Sequence, residues 1–246
     1  QAVDLDLEAG ARQGLVREVR DDLEQDLSPG DLGQDRPEGL GHGECGAGVG
    51  ASNIICVFLG TGLGSGIIVD GKPLNGFRGV GAELGHIKMV GRDGPLCGCG
   101  ATGCLEAFVG GAHLLARVRQ DATSGGFPDI VSIAGSMSAI DLGHVDTAAH
   151  VGGGYADQLW QEVSDHLGIA VANAVTLLNP EVLVLGGGVL ARCPELKKRT
   201  VAKVRELANP VAMVGLRIAD ATLGDSAGLV GAGLLALAQP GFAVTS

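Results

Sequence analysis

Between residues 86 and 104 the chain reads His86-x10-Cys97-x-Cys99-x4-Cys104, and no other stretch limits its folding so tightly. One imidazole and three thiolates are the ligand set of a closed tetrahedral zinc site. Three of the six cysteines fall within eight residues, in the turn Cys97-Gly-Cys99-Gly-Ala-Thr-Gly-Cys104. Cysteines are often buried as small hydrophobes, but a glycine-rich turn has no apolar face for them to fill. A metal loop is therefore the stronger reading, and a disulfide framework the weaker one for a cytoplasmic chain. Cys45, Cys56 and Cys193 stand apart from the group and read as core or surface thiols.

A loop of this kind needs a scaffold, and the composition supplies one. Hydrophobic residues make up 46% of the 246 against 18% charged, which excludes disorder as the whole answer. The longest apolar stretches, such as 227–238, are interrupted well short of the ~20 residues of a membrane helix. With no basic, apolar leader at the start, a cytoplasmic location is expected. The net charge of −11 argues against a nucleic-acid surface in this chain. Much of that charge sits in residues 1–50, which hold twelve Asp/Glu against four Arg. This acidic segment is expected to be poorly ordered or foreign to the fold, with an α/β lobe over 51–240. Within it, 15–27 has the look of a charged helix.

From Asn53 the periodicity sharpens. Ile54 to Leu59 and Gly66 to Val69 predict strands, the second ended by Asp70-Gly71. Helical spacing covers 103–119 and 155–178, the latter stopped by Asn179-Pro180. A buried strand is expected at 181–185, a helix at 195–207, a short strand at 216–219 and a small-residue helix from Asp225 or Ser226 to Leu237. Strands alternating with helices after Pro180 imply a mostly parallel sheet.

Two glycine segments carry a second kind of chemistry. Leu59-Gly-Thr-Gly-Leu-Gly-Ser-Gly66 follows a strand, and its alternate glycines let backbone N–H groups converge on phosphate oxygens, with Thr61 and Ser65 hydroxyls as further donors. A plain tight hairpin explains the same residues equally well. Val182-Leu-Val-Leu-Gly-Gly-Gly188 is a strand entering a flexible loop, where nucleotides bind in open α/β sheets. Leu223-Gly-Asp-Ser-Ala-Gly228 opens a helix with room for a close backbone approach. Either segment also serves as an ordinary strand-to-helix turn. Finally, Glu83 and Glu106 flank the metal ligands, and their acceptor-only carboxylates suit sugar hydroxyls; solvated surface Glu is the plain alternative.

Taken together, Gly-Ala-Glu83-Leu-Gly-His86, the Cys97 to Cys104 turn and Leu105-Glu106 resemble the signature of the ROK family of bacterial repressors and sugar kinases. The resemblance covers about 46–237. It implies an actin-like ATPase fold of ribonuclease H-like α/β lobes, and an ATP-dependent hexose kinase, most nearly a glucokinase, as the activity. A sugar-responsive repressor without its DNA-binding module is the alternative, and an inactive zinc-stabilised remnant the third. By resemblance Glu83, His86 and Glu106 contact the sugar, and His86, Cys97, Cys99 and Cys104 hold structural zinc. Gly60, Thr61, Gly62, Gly64 and Gly66, with Gly186, Gly187 and Gly188, face ATP and its Mg²⁺. The implied partners are a hexose and ATP, in a homo-oligomer. The family's catalytic Asp has no clean counterpart: Asp35 lies near its position, in a poor match to the helix expected there. The first phosphate loop is also missing from the resemblance, so little phosphoryl transfer is expected from this chain alone.

Overall fold

A computed structural model of the chain describes residues 46–123 and 127–223. Of two compact units, Gln1–Gln34 and Asp35–Ser246, only the second contains described residues. The expected helices at 15–27 and 225–237 and the candidate base Asp35 lie outside them.

Five strands form one sheet in the order β3-β2-β1-β4-β5: β1 (Ile54–Leu59), β2 (Leu63–Val69), β3 (Lys72–Pro73), β4 (Val182–Gly186) and β5 (Arg217–Asp220). β2 runs antiparallel to β1, with Leu59 opposite Leu63 and Ile54 opposite Ile68. β4 lies parallel to β1, and β5 parallel to β4. The sheet is thus mixed, with its parallel part where the alternation after Pro180 placed it. All six β1 residues are buried, as a central strand covered on both faces requires. Ile55, Val57 and Leu59 face the main helical core, while Ile54, Cys56 and Phe58 pack with Val182 and Val184 on the other side. That second face reaches back to Ala47, whose carbonyl accepts from Arg217 Nη1 at 2.7 Å. The packed fold therefore extends to before the expected boundary at residue 51.

The helices are α1 (Leu105–Val109), α2 (Gly111–Thr123), α3 (Pro128–Ala134), α4 (Leu142–Val151), α5 (Gly154–Leu178), α6 (Gly188–Arg192), α7 (Pro194–Leu207) and α8 (Pro210–Met213). None among the described residues is long and apolar enough to cross a membrane. The helix expected over 103–119 is broken at Gly110, whose extended backbone separates α1 from α2. The break has a reason: the first N–H groups of a helix lack internal partners, and here Gly111 N–H donates to Gly60 O (3.0 Å) and Ala112 N–H to Thr61 O (2.9 Å). α2 therefore starts on the β1–β2 turn. α5 is the central helix. Its Trp160 is fully buried and donates Nε1–H to Asp146 on α4 at 2.7 Å. The same carboxylate accepts from the N–H groups of Glu195 and Leu196, at 3.1 and 3.0 Å, and so caps α7.

Candidate functional site

The β1–β2 turn is shorter than the glycine pattern suggested. Only Gly60, Thr61 and Gly62 lie between the strands, closed by Gly60 N–H donating to Gly62 O at 3.0 Å. Gly64 and Gly66 sit in the ladder, opposite Phe58 and Cys56, because β2 begins at Leu63 rather than at Gly66. Ser65 moves with them. Buried at 8% exposure, its hydroxyl donates to Ala82 O and accepts from Leu84 N–H, so it is spent within the fold and does not reach a phosphate.

Beside this turn lies the second glycine segment. Phe58 pairs with Gly186, so both loops leave the sheet at the same ends of parallel strands, the edge where open α/β sheets bind nucleotides. Gly187 has φ +88° and lies so close to the Leu59 peptide that a Cβ there would stand 2.6 Å from its N and C atoms. A side chain at 187 would be strained twice over, by the backbone angle and by the collision. Gly187 is thus held against Leu59, the last residue before the Gly60–Gly62 turn. Of the segment 223–228, only Leu223 is described.

The metal loop is a small hairpin. Lys88 and Met89 align with Gly103 and Cys104, Leu96 bridges Thr102, and Cys97 N–H donates to Ala101 O at 2.8 Å. His86, on a 3₁₀ turn (Leu84–His86), completes the group: one ligand atom from each of His86, Cys97, Cys99 and Cys104 lies within 4.8 Å of the others. Cys97 Sγ stands 3.7 Å from His86 Nδ1, and Cys99 Sγ 3.7 Å from Cys104 Sγ. Ligand sulfurs about 2.3 Å from a tetrahedral ion stand about 3.8 Å apart, so the four residues fit such a cation. Burial pushes the Cys97 thiol up to about 12, whereas a backbone hydrogen bond at Ala101 holds Cys99 below the ordinary value. Lys88 Nζ, 3.0 Å from Cys104 Sγ, brings a positive charge to the thiols. Nothing in the sequence pattern singles out Lys88, since only the hairpin register brings it to Cys104.

Of the two flanking carboxylates, Glu106 faces this loop directly. Glu106, in the first turn of α1, receives Leu63 N–H on Oε2 at 2.9 Å and faces Cys97 Sγ from Oε1 at 3.4 Å. Glu83 is exposed and directly precedes the turn that carries His86. Chemically, Glu106 is an acceptor set between a four-residue group able to hold a metal and a glycine turn. Cys56 and Cys193 are buried away from it, and desolvation raises each thiol to about 12.

The chain is similar to glucokinases from Halalkalibacterium halodurans (35% identical, over 79% of this chain and 59% of the relative) and Streptomyces coelicolor (39%, over 78% and 61%). It therefore spans about three fifths of the length of these relatives. Among solved structures it resembles a ROK family glucokinase from Streptomyces griseus in complex with glucose and AMPPNP, with a TM-score of 0.70 and 34% identity over 82% of this chain and 66% of that one. It also resembles a ROK family transcriptional regulator homologous to the E. coli MLC protein, with a TM-score of 0.68 and 27% identity over 82% and 50%. The ROK family model matches residues 38–239. The strand order, the paired glycine loops and the His86–Cys104 hairpin all lie inside that span, and the chain belongs to the ROK family.

Proposed function

We propose that this chain carries the hexose- and nucleotide-binding lobe of an ATP-dependent sugar kinase of the glucokinase type. One observation carries the reading: the Gly60–Gly62 turn runs directly into Leu63, whose N–H fixes the Glu106 carboxylate. Phosphate-facing backbone and the N–H that anchors a hydroxyl-facing carboxylate are thereby consecutive in one hairpin. Phosphoryl transfer depends on positioning and electrostatics, and this arrangement supplies positioning for both substrates. Glu83, His86 and Glu106 orient the hexose hydroxyls, while Gly60–Gly62 and Gly186–Gly188 face the phosphates of Mg·ATP. His86, Cys97, Cys99 and Cys104 hold a structural zinc that braces the loop and takes no part in the transfer. Asp35 is the candidate base for the attacking hydroxyl. The likeness to the glucose- and AMPPNP-bound glucokinase supports the pairing of substrates.

The likeness to the ROK transcriptional regulator favours a second reading, a sugar-sensing lobe without phosphoryl transfer. Calorimetric titration with Mg·AMPPNP separates the two. The kinase reading expects binding that strengthens with glucose present and is lost in Gly187→Val. A chain that binds glucose but no nucleotide is a sensor.

A further inference from the structure

We propose that Ser65 is a positioning residue for Glu83, acting as a staple across the turn that presents it. The inference rests on the sugar-binding reading of Glu83. Glu83 has φ −78° and ψ 64°, the angles of an inverse γ-turn. Leu84 N–H donates to Ala82 O at 2.9 Å, closing that three-residue turn around Glu83. Ala82 enters it at φ +67°, in the left-handed region that a non-glycine residue occupies only where its surroundings enforce it.

The enforcement comes from β2. The Ser65 hydroxyl donates to Ala82 O and accepts from Leu84 N–H at 3.1 Å, so one side chain grips both ends of the γ-turn. Gly85 then packs its backbone against Leu63 O so closely that no Cβ fits between them. Farther along, His86 N–H donates to Glu83 O at 3.1 Å, closing the 3₁₀ turn that follows. Removing the hydroxyl leaves the buried Leu84 with one hydrogen bond fewer and frees Ala82 to relax. The Glu83 carboxylate then samples orientations away from the hexose.

A double-mutant cycle read by glucose calorimetry tests this. Ser65→Ala should weaken glucose binding about three- to tenfold, the worth of a neutral hydrogen bond, with metal content unchanged. The Leu84 amide should exchange faster with solvent. In a Glu83→Ala background the same substitution should cost nothing further, and Ser65→Thr, which keeps the hydroxyl, should bind nearly as the parent does. Equal losses from Ser65→Ala in both backgrounds would overturn the proposal while leaving the sugar role of Glu83 intact. If Glu83→Ala alone binds glucose as the parent does, the sugar reading itself has failed and this proposal goes with it.

Discussion

The backbone N–H of Leu63 donates to Oε2 of Glu106 at 2.9 Å, joining the first residue of β2 to the first turn of α1 across the mouth of the metal loop. Gly62, the preceding residue, lies against the same carboxylate with no room for a Cβ. Any movement of the glycine turn is therefore felt at Glu106. If the chain binds its sugar and phosphates as proposed, this link gives the two a shared mechanical element.

Glu106 should serve the hexose and not the metal, because His86 and the three thiols already make up a four-ligand group that does not include it. Glu106→Gln keeps an acceptor for Leu63 N–H but removes the charge. Glucose affinity should fall about tenfold or more, the worth of a charge-assisted hydrogen bond, with metal content unchanged. Calorimetry paired with elemental analysis checks both halves.

Cys99→Ser should abolish stoichiometric zinc, since one missing thiolate opens the tetrahedral shell. Metal binding must also strip protons from the thiols, and the buried Cys97 sits at about 12 without an ion. Zinc retention should therefore decline steadily as pH falls, with protons released on loading. Competition with a chromogenic chelator across a pH series measures this.

Asp146→Ala should destabilise the lobe by about 2–4 kcal/mol, because it leaves the buried Trp160 N–H and the N–H groups of Glu195 and Leu196 without an acceptor. Asp146→Asn, which keeps one oxygen, should cost less. Denaturant melts give the difference directly.

Arg117 on α2 and Glu162 on α5 form a two-pronged pair at 2.7 and 2.8 Å. Arg117 lowers the Glu162 carboxyl below its ordinary 4.5. A depressed carboxyl stabilises the fold above its unfolded value, and that contribution is lost as pH falls from about 4.5 through the lowered value. Both side chains are about two fifths exposed, at 42% and 39%, so solvent screening keeps the effect to roughly 0.5–1 kcal/mol. Arg117→Ala should remove it, flattening the acid limb of the stability curve.

Much of this was legible in the sequence, and the main exceptions share a cause. β1 and β4 announced themselves as apolar runs because both their faces are covered, and α5 as a long periodic helix ended by Asn179 in the left-handed conformation. The convergence of His86, Cys97, Cys99 and Cys104 was readable from residue type and spacing alone. What could not be read depends on partners distant in the chain. The break at Gly110 follows from the carbonyls of Gly60 and Thr61, and Ser65 looked like a phosphate donor because nothing local shows that β2 starts at Leu63. α6 has only five residues, too few to show a period. By contrast, α4 did carry a usable signal: Asp141 caps it, followed by Leu142, Val145 and Ala149 at helical spacing.

On the proposed reading, the His86–Cys104 loop holds a metal that in turn braces a sugar site. The most direct test of that reading is a glucose titration of the purified chain with zinc quantified beforehand, repeated after chelation and again after zinc is restored. The account predicts one zinc per chain, glucose binding that disappears with the metal, and recovery on reloading. Undiminished glucose binding by the metal-free chain, or no glucose binding by a fully loaded one, would contradict it.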